Sequence, residues 1–231
     1  MRIVISGDVD WACEEILTDY FDLFFKYQSK ITLFATHESK LLKSMKNDLV
    51  EIGIHPNHNH SLIEGKGKSS TLLIEELLRL YPQSKGVRSH SLTYSSGLLD
   101  LYKSFGFKYE SNCLLPFNFN VHPWKCYSGL IRIPINWEDD VSWHFGLNKF
   151  DTSMFKNGNF YSFNFHPVHV YLNTPSHDYY QKYKKYYHSH EKLLKNRYKG
   201  YGTRSYLIDL LTHIKSNKLD TFNLNELTNE H

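Results

Sequence analysis

Two aspartates near the start of the sequence have the type and spacing of a catalytic pair. Asp8 and Asp10 follow a short apolar run, in the segment GDVDW. If the strand continues, residues i and i+2 point to the same side, so the two carboxylates converge. One could then hold a metal ion while the other accepts a proton. The structural alternative is that Asp10 caps a helix beginning near Trp11.

A histidine-rich segment follows the apolar run LVEIGI. His55, His58 and His60 lie within the six residues HPNHNH, and histidine is the commonest metal ligand. Pro56 suits the first turn of a helix. In such a helix, His58 and Asn59 would share a face with His55. The segment predicts a metal site, and a polar surface loop is the alternative.

An arginine and two later histidines complete the candidate set. Arg88 ends the segment KGVR and could hold a carboxylate through two parallel hydrogen bonds; an ordinary structural salt bridge is the alternative. His166 follows the run YSFNF and precedes a proline, where it could donate a proton to a leaving group. His169 is its rival for that role.

The segments around these residues alternate between short apolar runs and amphipathic stretches. Such repeated strand–helix units predict a parallel sheet with helical crossovers. Functional groups in these folds collect at the carboxyl ends of the strands, and the candidate residues each lie just past a strand-like run. We predict strands over residues 2–6, 30–36, 49–54, 85–88, 107–112, 130–135 and 161–165.

Apolar residues at helical spacing predict the connecting helices. These span residues 11–27, 38–46, 71–81, 96–105, 176–197 and 203–216, and the residues after them form a tail or a short packing segment. We therefore expect residues 1–231 to form a single domain. Its catalytic core would cover about residues 1–173 and its helical carboxyl-terminal part about residues 176–217.

Composition limits the class of protein. Hydrophobic residues are 41% and charged residues 22%, as in ordinary globular proteins. No apolar run approaches the roughly 18 residues that span a bilayer, and the start MRIVISGDVD lacks the apolar core of a signal peptide, so we expect no membrane span. The three cysteines match no zinc motif. Reduced thiols and a cytoplasmic location are expected.

In their order, the segments GDVDW, HPNHN, VRSHS, NWEDD and FNFHP resemble the motifs of the polysaccharide deacetylase family. This family is also called the NodB-homology family or carbohydrate esterase family 4. The resemblance covers roughly residues 1–173, and EIGIHPNHN, INWEDD and FNFHPVHVYLN are similar to the WbmS-like branch associated with surface-polysaccharide gene clusters. It implies an α/β fold, a distorted and incomplete (β/α) barrel of TIM-like type.

The resemblance also implies roles for individual residues. Asp8 would be the general base, Arg88 would orient it, and His166 would be the general acid. The fourth motif, NWEDD, would shape the pocket and tune His166. The residues that the resemblance implies for substrate binding are Trp11, His90, Trp137 and Asp139, with His90 standing where the family usually has proline.

The implied cofactor is a divalent metal, with zinc as the first candidate and cobalt, nickel or manganese as alternatives. Asp10 and His55 would be ligands. The family's second histidine ligand normally stands four positions after the first, where this sequence has Asn59. Either Asn59 ligates through its amide oxygen, or His58 takes its place.

The implied activity is hydrolysis of an N-acetyl or similar acyl group on a sugar, in surface-polysaccharide biosynthesis. An O-deacetylase or a deformylase on the same scaffold is one alternative. A lapsed enzyme that only binds metal or sugar is another, and the missing second histidine is its best support. Retention of Asp8, Arg88 and His166 argues against it, because a binding module needs neither a base nor an acid.

The basic, tyrosine-rich stretch at residues 181–204 permits two further interpretations. Interleaved Lys, Arg and Tyr occur in some single-strand nucleic-acid binders, but a solvated helix face is commoner and the net charge is only +3, so we expect no nucleic-acid partner. The stretch could instead meet the phosphate of a nucleotide-linked or lipid-linked acetylated sugar, through Lys184, Lys185 and Lys195.

Overall fold

The centre of the fold is a curled, mostly parallel sheet. The computed structural model describes residues 1–230. The strands are β1 Arg2–Asp8, β2 Ile31–Ala35, β3 Val50–Ile54, β4 Gly86–Val87, β5 Tyr109–Glu110, β6 Trp124–Lys125, β7 Ile131–Arg132, β8 Trp137–Glu138, β9 Phe160–Phe165 and β10 Thr221–Phe222.

The strand order places the first strand near the middle of the sheet. The order is β6-β7-β5-β4-β3-β2-β1-β9-β8, and β10 pairs with β1. Among the strand pairs of the described residues, only β6–β7 is antiparallel. Nearly every residue of β1, β2 and β9 is buried, as expected for parallel strands covered on both faces. The result is a half-barrel of α/β type.

Within residues 1–230, ten α-helices connect and cover the strands. They are α1 Glu14–Tyr27, α2 Lys40–Ser44, α3 Asn59–Leu62, α4 Ser70–Leu80, α5 Ser96–Ser104, α6 Asp139–Ser142, α7 Pro167–Leu172, α8 His177–Tyr183, α9 His190–Lys195 and α10 Thr203–Ser216. Short 3₁₀ helices lie at His90–Leu92, Trp143–Phe145, Thr152–Lys156, Lys184–Tyr186 and Leu224–Glu230. Among the described residues, no helix has both the length and the apolar character needed to cross a bilayer.

Local sequence explains several of these helix boundaries. Ser39, Ser69 and Ser95 precede α2, α4 and α5, and each hydroxyl accepts a hydrogen bond from a backbone N–H three residues later, which is the usual amino-terminal cap. On the outside of the sheet, α1, α7 and α10 pack against one another. The carboxyl-terminal helix therefore belongs to the same core as the first strands.

The parallel sheet and its crossover helices are confirmed, and α10 has the predicted bounds. The predicted helix at residues 176–197 is wrong, because α8 and α9 are separated by the 3₁₀ turn at Lys184–Tyr186 and three further residues. The break lets the Tyr187 hydroxyl donate a hydrogen bond to the Asp10 carbonyl. A tertiary contact thus overrides local helix propensity.

The start of the first helix and the structure of the carboxyl-terminal segment are set by the backbone. The first helix begins at Glu14 rather than near Trp11, because Asp10 and Trp11 have left-handed backbone angles, with φ of 43° and 58°. Asp10 therefore does not cap the helix, whose N-cap is Cys13. At the other end, β10 confirms a short packing segment, since Thr221 and Phe222 pair with Ile3 and Val4.

Candidate functional site

The candidate site lies at the carboxyl ends of β1, β3, β4 and β9. Asp8 ends β1, and His55, Arg88 and His166 each follow directly after their strands. Adjacent parallel strands bring these positions to one edge of the sheet. The shortest distances from the Asp8 carboxylate are 2.9 Å to Arg88, 3.9 Å to His55 and 4.0 Å to His166.

The Arg88 guanidinium is fully buried and has a complete set of acceptors. Its Nη1 donates to Asp8 Oδ1 at 2.9 Å and to Asn164 Oδ1 at 2.6 Å. Its Nη2 donates to Ser6 Oγ and Ser111 Oγ, and its Nε donates to the Ser111 carbonyl. Such a network fixes the guanidinium plane and therefore the direction of the Asp8 carboxylate.

Asp8 is held ionised by its surroundings. Burial raises the pKa of Asp8, but the Arg88 guanidinium and then His55 outweigh that effect, and the net pKa is below its ordinary value. The second carboxylate oxygen, Oδ2, accepts a hydrogen bond from Asn164 Nδ2 at 3.0 Å. At neutral pH Asp8 is therefore an oriented proton acceptor at the base of the site.

His166 is held by a buried carboxylate. Its Nδ1 lies 2.7 Å from Asp139 Oδ1, and its backbone N–H donates to Asp139 Oδ2 at 2.9 Å. Nε2 is left facing the paired aspartates, 3.8 Å from Asp10 Oδ2. Burial lowers the pKa of His166, but Asp139 reverses this and holds the pKa well above 6.5. The ring is thus a protonated donor at neutral pH.

Asp10 reaches the site from a turn rather than from the strand. The left-handed conformation is tolerated by aspartate but costly for a bulky residue such as Trp11. Two contacts hold the turn: Trp11 N–H donates to Thr36 Oγ1 at 2.9 Å, and the Tyr187 hydroxyl donates to the Asp10 carbonyl. The turn points the Asp10 carboxylate toward two histidines.

Three groups of side chains within residues 1–230 could hold a metal ion. The ligand atoms of each group lie within 4.8 Å of one another: Asp10, His55 and His90; Asp139, His166 and His169; and Asp8, Glu138 and His166. In the first group, Asp10 Oδ1 lies 3.3 Å from His55 Nε2 and 3.1 Å from His90 Nδ1. One carboxylate and two imidazoles are a donor set that suits zinc. In the other groups His166 is already bound to Asp139.

The other residues of the HPNHNH segment are placed differently. The predicted helix from Pro56 does not form, since α3 begins at Asn59. His58 is buried, its Nε2 lies 3.0 Å from the Tyr102 hydroxyl, and burial lowers its pKa to about 4. The Asn59 amide oxygen accepts a hydrogen bond from Thr93 at 2.8 Å. His60 lies exposed on α3.

Two pockets meet at Asp10 and His90. The inner pocket, of about 290 Å³, is lined by residues that include Asp8, His55, Glu138 and His166. The outer pocket, of about 640 Å³, is lined by Asp10, Trp11, Asn57, His60, His90, Tyr180, Lys184, Tyr187 and His188. The outer pocket is lined by aromatic rings, and its volume lies in the range of small-molecule binding sites.

The residues predicted to contact substrate divide into two pairs. Trp11 is 40% exposed and lies, with His90, on the wall of the outer pocket. Trp137 is only 2% exposed and stacks on Tyr206 with ring centroids 4.2 Å apart. Asp139 is fully buried against His166. The second pair therefore supports the site from beneath and does not line either pocket.

Some contributors had only weak signals in the sequence. Asn164 links Arg88, Asp8 and Glu138 through its amide, and its only signal is its place two residues before His166, on the same face of β9. Tyr187 had no signal in the sequence that marked it as part of the site, because it lay inside a predicted helix. His169, the rival acid, is buried, and burial keeps its pKa well below 6.5.

The fold and site together define a class. The curled, mostly parallel half-barrel matches the fold of NodB-type polysaccharide deacetylases. Residues 5–184 match the WbmS-like polysaccharide deacetylase family, and the chain belongs to that family. None of the curated proteins matches the chain.

Solved structures agree with this assignment. A protein from Bordetella bronchiseptica, described as a polysaccharide deacetylase involved in O-antigen biosynthesis, is 31% identical, with a TM-score of 0.86 over 92% of this chain and 90% of that chain. A polysaccharide deacetylase from Mycobacterium smegmatis has a TM-score of 0.62 at 13% identity, covering 99% and 89% of the two chains. The Bc1960 peptidoglycan N-acetylglucosamine deacetylase has a TM-score of 0.54 at 13% identity, over 98% of this chain and 87% of that chain. The last two show the fold alone.

Proposed function

We propose that the protein is a metal-dependent deacetylase that hydrolyses an acetamido or similar acyl group on a sugar during surface-polysaccharide biosynthesis. The observation that carries the proposal is that Asp8, paired with Arg88, and His166, held by the Asp139 carboxylate, lie around one inner pocket. These partners lower the pKa of Asp8 and raise the pKa of His166. An acid and a base held in opposite protonation states at one pH are what amide hydrolysis requires.

A divalent metal at Asp10 and His55 would supply Lewis-acid activation of the acyl group and of water. Asp8 accepts the proton of the attacking water, and Arg88 keeps that carboxylate ionised and aimed. His166 donates its Nε2 proton to the departing nitrogen, while Asp139 holds the opposite ring nitrogen. Amines are poor leaving groups, so this acid matters more for an amidase than for an ester hydrolase.

The outer pocket supports a substrate that carries a phosphate, such as a nucleotide-linked or lipid-linked sugar. Trp11, Tyr180 and Tyr187 supply flat apolar rings that suit pyranose faces, and Lys184 supplies a cation beside them. The first relative's description, which refers to O-antigen biosynthesis, supports a role in surface-polysaccharide biosynthesis. The three cysteines are free thiols, which supports action in the cytoplasm on a precursor.

Acetate release tests the activity. Purified protein, stripped with chelator and reloaded with zinc, cobalt, nickel or manganese, is assayed on a panel of free and nucleotide-linked acetamido sugars. We expect acetate release only in the metal-loaded protein, and at least a ~10²-fold loss in Asp8→Asn and in His166→Ala. The control His122→Ala changes an exposed histidine that lines neither pocket and should keep the wild-type rate. Metal-loaded protein that releases no acyl group from any sugar would contradict the proposal.

Substitution of single lysines tests the phosphate. Lys184→Ala should raise KM for a nucleotide-linked sugar by up to about 5-fold and leave KM for the free sugar unchanged, because an exposed ion pair is worth ~0.2–1 kcal/mol. Lys185→Ala and Lys195→Ala are matched controls, since neither residue lines the outer pocket. Equal effects of all three substitutions would indicate general electrostatic attraction instead.

A further inference from the structure

We infer that His90 completes the metal site formed by Asp10 and His55. Asn59 and His58, the two candidates from the sequence, are then structural residues. The inference rests on the proposed function, because it concerns the metal that the hydrolysis requires. It assigns to this chain a ligand from the VRSHS segment, two residues after the arginine that orients Asp8.

The first argument is the convergence of the three ligand atoms. His55 Nε2 and His90 Nδ1 approach the same Asp10 oxygen, at 3.3 Å and 3.1 Å. The ligand atoms of a tetrahedral zinc ion, each about 2.1 Å from the metal, lie roughly 3.4 Å apart. The two imidazole rings are perpendicular, with centroids 5.5 Å apart, so both can direct a nitrogen at one point. The spacing matches a site that needs little rearrangement.

The second argument is that the backbone holds His90 at this place. Its N–H donates to the Pro56 carbonyl at 3.0 Å, which ties the segment to the residue next to His55. The following Ser91 has a left-handed φ of 58°, and the Trp11 ring packs edge-on against the His90 ring at 5.3 Å. Contacts from two other segments, together with the turn at Ser91, thus fix the imidazole before any ion binds.

The third argument is that the rivals are occupied elsewhere. Asn59 uses its amide oxygen as acceptor for Thr93 and donates its Nδ2 to Ser91 at 3.2 Å. His58 contacts the Tyr102 hydroxyl in the core. Among the described residues, His58 belongs to none of the three converging groups of acidic, histidine and cysteine side chains. His90 is the histidine that shares a converging group with Asp10 and His55.

Zinc binding to metal-free protein, followed by calorimetry and by competition with a chromophoric chelator, tests the inference. Wild type should bind about one zinc per chain. His90→Ala should lose more than ~100-fold in affinity, since even the loss of an outer-shell partner costs 10–100-fold. Asn59→Ala and His58→Phe, with folding checked by circular dichroism, should stay within about 10-fold of wild type. His122→Ala, at an exposed histidine outside both pockets, is the control.

The outcomes separate the two proposals. Zinc binding in the wild type that persists in His90→Ala but is lost in Asn59→Ala or His58→Phe would overturn the role of His90 and leave the proposed function standing. No binding of zinc, cobalt, nickel or manganese by the wild type would overturn both. Acetate release that depends on the metal, together with loss of the metal in His90→Ala, would support both.

A second variant gives a positive signal in a folded protein. His90→Cys places a thiolate among the ligands, and thiolates ligate divalent metals well. Cobalt-loaded His90→Cys should therefore show a thiolate-to-cobalt charge-transfer band in the near ultraviolet that cobalt-loaded wild type lacks. Asn59→Cys serves as the comparison. Absence of the band in His90→Cys, or its appearance in Asn59→Cys, would exclude His90 as the third ligand.

Discussion

Two buried acidic regions border the inner pocket, and they hold protons differently. On one side Asp8 lies 2.9 Å from the Arg88 guanidinium, and its pKa stays below the ordinary value. On the other side Glu138 is buried to a similar extent, but its hydrogen-bond partner is the neutral amide of Asn164. Burial, with the nearby Asp140 charge, raises the pKa of Glu138 to about 8. The charge of the hydrogen-bond partner, more than the depth of burial, therefore decides whether each carboxyl is protonated.

The difference teaches how one pocket can offer a base and an acid together. The Arg88 side stabilises negative charge where a proton must be accepted. The acidic side, through Asp139, stabilises positive charge on His166, where a proton must be donated. Asn164 lies between them and contacts both Asp8 and Glu138. The hydrogen bonds of Asn164 therefore link the two regions, and the His166 ring lies close to Asp8, with Nε2 at 4.0 Å from Asp8 Oδ2.

Removing the cation should have the largest effect. Arg88→Met leaves the Asp8 carboxylate buried and unpaired, so we expect a loss of about 3–5 kcal/mol in the free energy of unfolding and a ~10³-fold or larger fall in kcat/KM. Urea unfolding measures the loss of stability, and acetate release measures the fall in kcat/KM. Arg79→Met, at an exposed pair with Glu75, is the control and should change stability by less than about 1 kcal/mol.

The double variant sharpens the same test. Arg88→Met combined with Asp8→Asn removes the unpaired charge, so part of the lost stability should return while activity stays absent. A double-mutant cycle measures this coupling. Equal instability of the single and the double variant would mean that packing of the guanidinium, and not charge compensation, is what the core requires.

Loss of the acid's partner should have an intermediate effect. In Asp139→Asn the carboxylate that raises the pKa of His166 is gone, so that pKa should fall. The protonated imidazole is the active form, so activity is lost as pH rises through this pKa, and the alkaline limb of kcat should move to lower pH in the variant. At neutral pH we expect a fall of ~10²-fold. Asp209→Asn, at an exposed aspartate, is the control. If the alkaline limb of kcat does not move in Asp139→Asn, His166 is not the acid whose pKa Asp139 raises.

The sequence predicted the edge of the sheet better than the contacts made there. Strand ends after apolar runs located Asp8, His55, Arg88 and His166, because parallel strands bring such positions together whatever the loops do. It did not predict the turn at Asp10, since a left-handed Trp11 has no local signature and depends on contacts from Thr36 and Tyr187.

The short outer strands and the late helices were less predictable for a related reason. β5 and β7 have two residues each, although the apolar runs there are longer. The predicted helix at residues 176–197 contains no glycine or proline, yet it breaks where Tyr187 contacts Asp10. Periodicity reports which face is apolar. It does not report which single residue must reach across the fold to a neighbour.

The smallest effect on activity is expected from Glu138→Gln, because the Glu138 carboxyl is already protonated at neutral pH. Glu138→Gln copies the protonated side chain, so kcat/KM at pH 7 should stay within about 2-fold, and the Asn164 hydrogen bond has an acceptor in both. In the unfolded wild type the Glu138 carboxyl loses its proton near its ordinary pKa of 4.5. In the native state the pKa is about 8, so the carboxyl stays protonated over the interval between these two values. Stability should therefore fall as pH rises through that interval, by up to about 1.4 kcal/mol per pH unit. Asp139 and His166, whose pKa values are also raised, contribute to the same fall. The slope should therefore be smaller in Glu138→Gln than in wild type and unchanged in the exposed control Glu191→Gln. Urea midpoints from pH 5 to 8 that fall equally in wild type and Glu138→Gln would mean that Glu138 is ionised, and the contrast with Asp8 would then be lost.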